Sequence, residues 1–373
     1  MINTEGKTDL LSLSAAELEE LLTVLGEPKY RASQMFAGLQ KGVSPEEMTN
    51  IPKTLKEKLA ENTYYFLPKI KKKLVSKLDG TVKYLFMLSD GNCIESVVMK
   101  YEHGNTICIS SQVGCRMGCR FCASTIGGKV RDLRPSELLG QIISAEKDMG
   151  VRISNIVMMG IGEPLDNFDN VVKFLTLVGD EKGLCIGYRH ISLSTCGLAD
   201  KIYELARLSL PITLSISLHA PDDETRSKIM PVNNRWNVET LLRACRDYYK
   251  STGRRISFEY TLIAGENDTV RHALRLAETL NRALRTRSET MPIHVNLIPV
   301  NEVKETCFKK SGADAIKAFS RTLESKGIRA TVRRKLGSDI NASCGQLRRE
   351  SALEDASGEE KNGEKTEKTS DLT

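Results

Sequence analysis

The sequence predicts an α/β protein: a partial (β/α)6 barrel with a small N-terminal helical module and an antiparallel β extension. Three observations carry this. From Thr106 to Arg334, short apolar runs of β character and helical stretches follow one another in turn, the pattern of a parallel sheet with right-handed crossovers. From about Leu67, shorter β segments are separated by Asp79-Gly80 and Asp90-Gly91, both hairpin signals. The N-terminal residues up to about 60 instead carry leucines at helical spacing.

In the helical module, Ser14 with Glu17 makes a capping box ahead of AELEELLTVL. A second helix is expected from Tyr30 to Gln40, and a third after IPK near Lys53. The segments KIKKKLVSKL, TVKYLFML and NCIESVVMK then form an antiparallel meander. The barrel strands are expected at 106–110, 155–160, 190–195, 212–219, 256–263, 293–300 and 327–334, with helices such as PSELLGQIISAEKDM, VVKFLTLV and ETLLRACRDYYK between them. Past Arg334 too little chain remains for a standard eighth unit.

Composition narrows the class. Apolar content of 40% with 27% charged residues is ordinary for a globular protein of 373 residues. No signal peptide and no run of eighteen apolar residues is present, so a cytoplasmic location without a membrane partner is expected. In that compartment ten cysteines point to metal or redox chemistry rather than to a disulfide framework. From Ser351 onward seven acids outnumber three lysines, so residues 1–350 carry +10 of the net +6. That balance favours a polyanionic partner. The tail itself, short of apolar residues, is expected to be disordered.

In a parallel barrel the chemistry sits where strands end and loops begin. Cys115, Cys119 and Cys122, spaced C-x3-C-x2-C, follow the first strand, with Cys108 seven residues upstream of the group. Gly160 to Pro164 (GIGEP) follows the second strand, Ser194 to Gly197 the third, Ser217 to Ala220 the fourth, and Asn301 the sixth. Each alone reads as a turn; together they converge on one face. Structural zinc takes four ligands and no second cysteine pair lies nearby. Three thiolates suit a 4Fe-4S cluster with one iron open.

With Phe121 before the last cysteine, this motif resembles that of the radical S-adenosylmethionine (SAM) superfamily. The resemblance implies that the amine and carboxylate of SAM bind the open iron. The backbone at Gly162 would then approach the ligand closely, and Glu163 would accept hydrogen bonds from the methionine ammonium. Ser194, Ser217 and Asn301 would bind the carboxylate and ribose hydroxyls, with Leu218 and His219 packed beside the ribose.

A closer resemblance covers Leu10 to Arg349 and leaves out only the tail. SSQVGCRMGCRFC, GIGEPLDN, SLHAP, NLIPVN and DINASCGQLR, with LGEPKYRASQMF and MTNIPKTL near the N-terminus, resemble the RlmN type of RNA adenine-C2 methyltransferase. That family implies a methyl group placed on Cys344 by one SAM, a hydrogen atom taken from it by the radical from a second SAM, and addition of the methylene radical to C2 of an adenine in RNA. Cys108 would resolve the covalent adduct by a disulfide with Cys344, and Glu95, in CIESV, would be the proton acceptor. C2 has no lone pair with which to displace a methyl from SAM, whereas a carbon radical can add to it, and a covalent route divides the hard step.

The resemblance also implies an adenine of 23S rRNA and one next to the anticodon of some tRNAs as substrates, flavodoxin or ferredoxin as electron donor, and a monomer. The division of labour it suggests is an RNA-binding module over 1–65, a β extension over 66–104, the radical SAM barrel over 105–335, a catalytic segment over 336–350 and an acidic tail over 351–373. The basic run Lys69 to Lys73 either guards a sheet edge or contacts RNA. Two alternatives stay open: C8 methylation, as in the related Cfr resistance enzymes, and a nonenzymatic iron-sulfur protein that binds RNA. Cys93, Cys185, Cys196, Cys245 and Cys307 are assigned as small buried hydrophobes. Cys196 departs from the family, which more usually has another small residue there. His103, His190, His272 and His294 have no ligand spacing, and Trp236 is read as a packing anchor.

Overall fold

In the computed structural model, which describes residues 6–285, 290–302, 305–340, 345–349 and 351, Ser14 caps the first helix as its sequence predicts. After a short strand β1 (Thr8–Asp9), the Ser14 hydroxyl accepts from the Glu17 amide while the Ser14 amide donates back to the Glu17 carboxylate at 2.7 Å. Helices α1 (Ala15–Val24), α2 (Tyr30–Gln40) and α3 (Lys53–Asn62) then bury Leu18, Leu22, Met35, Phe36, Leu55 and Leu59. Each such side chain withdrawn from water contributes about 1.5–3 kcal/mol. Strand β2 (Thr63–Tyr64) pairs in parallel with β1. The buried Asp9 carboxylate binds the module to the body by accepting from the Ser12 and Ser136 hydroxyls.

Strands β3 (Lys69–Val75), β4 (Val82–Met87) and β5 (Cys93–Tyr101) run antiparallel, and a two-residue turn at Glu102-His103 leads into β6 (Gly104–Cys108). Strand β6 pairs antiparallel with β5 on one side and parallel with β9 on the other. The β extension is therefore continuous with the barrel sheet. That tight turn also moves the first barrel strand two residues earlier than its apolar run suggests.

Past a small hairpin of β7 (Gln112–Gly114) and β8 (Lys129–Asp132), the βα units follow: α4 (Pro135–Met149), β9 (Ile153–Met158), α5 (Phe168–Val178), β10 (Ile191–Thr195), α6 (Ala199–Arg207), β11 (Thr213–Ser217), α7 (Asp223–Ile229), α8 (Val238–Thr252), β12 (Ile256–Leu262), α9 (Val270–Leu284), β13 (His294–Pro299), α10 (Ala313–Ser325) and β14 (Arg329–Val332). The main sheet has ten strands in the order β14-β13-β12-β11-β10-β9-β6-β5-β4-β3. From β6 through β14 every pairing is parallel, so the ends of these strands share one rim. Strand β3, with its lysines, is an edge of this sheet. Among the described residues no helix is long and apolar enough to cross a membrane.

Candidate active site

Cross-strand register decides which side chains share a face. Lys83, Val97, Cys108 and Val157 stand opposite one another in a single row across β4, β5, β6 and β9. Glu95 is two residues from Val97 and so projects from the same face. This face carries a small apolar group of Val97, Met99 and Cys108, with Val157, Met159 and Leu336 against it. Cys108 is buried there.

Beyond β6 the chain from Ile109 to Gln112 lies against the GIGEP segment. Gly160 donates to Ile109 O at 3.0 Å, and Ser111 donates to Ile161 O at 2.8 Å. A Cβ on Gly160 would stand 2.6 Å from the Ile109 carbonyl oxygen, and one on Gly162, at φ +107°, 2.7 Å from the Gln112 amide nitrogen. The close approach that these glycines permit is thus to the chain's own backbone. Gln112, which the sequence reading passes over, joins the two segments: its side-chain oxygen accepts from the Glu163 amide at 2.9 Å, while its amide group donates to Asp132 and Asp166.

The cysteine loop is shaped by its own backbone. Cys115 donates to Gly128 O and Cys122 to Cys119 O, each at 3.0 Å, and the Thr125 hydroxyl donates to the carbonyls of Cys119 and Cys122. Burial first, then the neighbouring thiols and Glu163, push Cys115 up to about 12 and Cys119 well above the usual thiol range. Cations would reverse that effect, because a coordinated thiol is deprotonated outright. Among the described residues no set of His, Cys, Asp or Glu is arranged to hold a single metal ion. A cluster does not require such convergence, since each thiolate holds a different iron. Buried Ser111 and Ser124 hydroxyls beside this loop lack a partner among the described residues. The three thiols therefore fit an iron-sulfur cluster better than a mononuclear ion.

Glu163 is buried at the end of β9, where its carboxylate accepts from the amides of Cys196 at 2.7 Å and Leu165 at 3.0 Å. Burial raises its pKa, and hydrogen bonds from Cys196 and Thr195 only partly offset that. A buried carboxylate held by neutral donors suits an incoming ammonium, so the residue fits SAM. Ser194 and Ser217, on neighbouring strands β10 and β11, bring their hydroxyls to 3.5 Å of each other. Leu218 and His219 both donate backbone N–H to Glu259 O. His219 takes a left-handed φ of +57°, accepts from the Thr261 amide at Nδ1, and meets the Phe121 ring edge-on at 5.1 Å. Burial, with the nearby Arg226 charge, pushes its pKa down to about 3, so it is neutral. Asn301 is exposed beyond β13 and is not drawn into the Ser194–Ser217 contact.

Arg226 escaped sequence reading because it sits in α7, whose sequence DETRSKI looks solvent-facing. It is fully buried, and its guanidinium donates to Cys196 O at 2.6 Å, Leu218 O at 3.1 Å, Asn233 Oδ1 at 3.0 Å, and Ser217 O and Trp236 O at 3.3 Å. It ties the ends of β10 and β11 together. Glu259, also buried and also missed, accepts from Asn296 at 2.6 Å and from Ser257. The remaining cysteines divide: Cys196 and Cys245 are buried, whereas Cys93, on β5, is only half-buried and Cys185 and Cys307 are exposed, contrary to the assignment of these three as buried hydrophobes. Cys185 and Cys307 lie outside regular elements, where no apolar layer covers them. Burial and Glu163 push the Cys196 thiol well up, which leaves it unreactive.

Cys344 lies outside the described residues. The turn that follows it in sequence does not. Gly345, at φ +82°, packs so closely on the cysteine loop that a Cβ there would stand 3.0 Å from the Ser124 amide. Glu95, buried on β5, accepts from the amides of Gly345 at 2.8 Å and Arg348 at 2.7 Å, and pairs with the buried Lys83 ammonium at 3.2 Å. N-terminal to Cys344, Asp339 accepts from the Ser76 hydroxyl and the Lys77 amide, and Asp79 accepts from the Gly337 amide. A cleft of about 310 Å³ lies between these anchors, lined by Lys72, Leu74, Lys83, Asp339, Gln346 and Leu347 among others.

Comparison with known proteins matches residues 109–277 to the radical SAM superfamily and residues 8–64 to the ribosomal RNA large subunit methyltransferase N-terminal domain. A protein of Alkaliphilus oremlandii (strain OhILAs), named probable dual-specificity RNA methyltransferase RlmN, is 54% identical over 344 residues, 92% of this chain and 98% of that protein. One of the same name from Clostridium acetobutylicum is 52% identical over 342 residues, 91% of this chain and 97% of its own. The crystal structure of a radical SAM methyltransferase from Sphaerobacter thermophilus superposes with a TM-score of 0.84 at 40% identity, over 91% of this chain and 98% of that one.

Proposed function

Because the chain belongs to the RlmN family of radical SAM RNA methyltransferases, we propose that it methylates C2 of one adenine in 23S rRNA and of an adenine next to the anticodon in some tRNAs. It is a SAM-dependent RNA methyltransferase. The observation that carries this reading is identity above 50% to relatives so named along nearly their whole length, helical module and barrel alike. Those relatives do not favour the C8 alternative, and the family membership sets aside the nonenzymatic reading.

In this proposal Cys115, Cys119 and Cys122 hold the 4Fe-4S cluster. When bound, the cluster supplies the electron that cleaves SAM to methionine and a 5′-deoxyadenosyl radical. Glu163 orients SAM through its ammonium, the Gly162 backbone lines the pocket, Ser194, Ser217 and Asn301 bind its carboxylate and ribose hydroxyls, and Leu218 with neutral His219 walls the ribose. Cys344 carries the methyl group and attaches to the adenine. Glu95 takes the C2 proton as the adduct radical gives up one electron, which the cluster, when bound, would take back. The Cys108 thiolate then attacks the Cys344 sulfur, forming the disulfide as the C–S bond breaks, and a proton completes the methyl group. The shared sheet face of Glu95 and Cys108, with the turn after Cys344 bonded to Glu95, supports that assignment.

The helical module over 1–65 and the basic body would hold the RNA, with residues 66–104 and 336–350 flanking the barrel of 105–335. A flavodoxin or ferredoxin would deliver electrons to a cytoplasmic monomer. The experiment is nucleoside mass spectrometry of RNA from a strain lacking the gene, complemented with wild type or Cys344→Ala. Loss of 2-methyladenosine, restored by wild type alone, is expected. Retained 2-methyladenosine in the deletion strain, or full rescue by Cys344→Ala, would overturn the reading.

A further inference from the structure

Lys83 has no part in the roles above, yet it is 1% exposed and pairs with Glu95, itself 2% exposed, at 3.2 Å. A buried ammonium is retained only where its charge is matched and its protons are bonded. We propose that Lys83 is a positioning residue for the proton-removal step: it holds the Glu95 carboxylate against the amides of Gly345 and Arg348, and so fixes the turn that follows Cys344. This rests on the RNA methyltransferase reading for its chemical consequence, though not for its structural one.

Both Glu95 oxygens are engaged, Oε2 with Gly345 and Lys83 and Oε1 with Arg348. Rotation of the carboxylate would break both backbone bonds together. Lys83 prevents rotation because its own position is set by β4, where it stands opposite Val97 and beside Leu74 of β3. Elsewhere the segment is held by side chains, with Leu347 buried, the Gln346 amide group donating to Glu302 O at 3.1 Å and Arg349 paired with Glu305 at 3.0 Å, whereas Glu95 holds its backbone at the amides of Gly345 and Arg348. On the barrel side Gly345 lies so close to the cysteine loop that a Cβ on it would stand 3.0 Å from the Ser124 amide and 3.1 Å from Ala123. The pair Lys83–Glu95 thus supplies from the β extension what the cysteine loop supplies from the barrel. Without Lys83, the Glu95 carboxylate loses the charge partner that holds Oε2 and is free to rotate off both amides.

Hydrogen exchange by mass spectrometry on full-length wild type, Lys83→Met and Lys83→Arg tests the structural half. In Lys83→Met the amides of residues 345–349 should exchange about tenfold faster or more, the loss of two backbone bonds, while peptides of α4, α8 and α9 keep wild-type protection. Lys83→Arg, which keeps the charge, should restore most of it. On the reconstituted enzyme, Lys83→Met should load the methyl group on Cys344 as wild type does but accumulate the covalent protein–RNA conjugate, because proton removal by Glu95 is impaired. Unchanged exchange at 345–349 would overturn the proposal, as would loss of protection throughout the chain that arginine fails to rescue, or methyl loading and RNA conversion that fall together without conjugate. A wild-type chain forming neither methyl-Cys344 nor conjugate would instead sink the methyltransferase reading, whatever the exchange result.

Discussion

Replacing Arg226 by methionine tests whether one buried guanidinium holds the rim of the cofactor pocket. Methionine has a similar length and fills the same space, so packing is largely kept. The five acceptors now served by Arg226, among them the carbonyls of Cys196, Ser217 and Leu218, lose their donor. Hydrogen bonds from a charged donor contribute about 1.5 kcal/mol each at the low end, hence roughly 7 kcal/mol for the set. Burying the guanidinium costs several kcal/mol, which the variant recovers. The net loss should be about 3 kcal/mol, read by equilibrium urea unfolding. Because three of the acceptors end β10 and β11, SAM affinity of the reconstituted protein should fall about tenfold, an energy of about 1.4 kcal/mol. Arg226→Lys should recover only part of both, since an ammonium lacks the planar fork that reaches several carbonyls at once. A stability loss under about 0.5 kcal/mol with unchanged SAM affinity would refute the bridging role.

Several further outcomes are expected. His219 is neutral in the fold, with a pKa near 3 against 6.5 when unfolded, so the unfolded chain alone takes up its proton as pH falls below 6.5. That costs about 2 kcal/mol of stability between pH 8 and pH 5; His219→Asn, which tolerates the left-handed backbone, should flatten this part of the apoprotein's pH profile, and an identical slope would count against the burial argument. Gly345→Ala should lower RNA methylation about tenfold or more while leaving SAM cleavage without RNA intact, because a Cβ at φ +82° meets the Ser124 amide; normal methylation would show that the close approach does not matter. Alanine at Cys115, Cys119 or Cys122 should abolish iron incorporation on anaerobic reconstitution, measured by metal analysis, whereas Cys196→Ala should retain it. Replacing Lys69 and Lys72 on edge strand β3 by glutamine decides between edge guarding and RNA contact. A salt slope of RNA binding reduced by about 0.7–0.9 per lost phosphate contact favours contact, and an unchanged slope with increased aggregation favours edge protection.

Much of the fold is local and therefore legible. The capping box at Ser14 and Glu17, the helix from Tyr30 to Gln40 and the alternation after Thr106 all depend on neighbours within a few residues. Strand ends were less legible, because they follow pairing partners: β6 begins at Gly104 where a turn returns from β5, not where its apolar run begins. Lys83 and Arg226 were illegible for a stronger reason. In TVKYLFML and DETRSKI each looks like a solvated charge on an amphipathic element, and only partners brought in from elsewhere reverse that.

By itself, the sequence determined the cysteine triplet, the alternating core that carries it and the near-complete family pattern, because these lie in residue types and their spacing. Tertiary structure alone decided that Glu95 grips a turn 250 residues further along the chain, that Cys108 stands on the same face, and that Lys83 and Arg226 are buried. The physical reason is that sheet register and loop closure set these contacts, and a charged residue's energy depends on the partner that reaches it rather than on its neighbours in sequence.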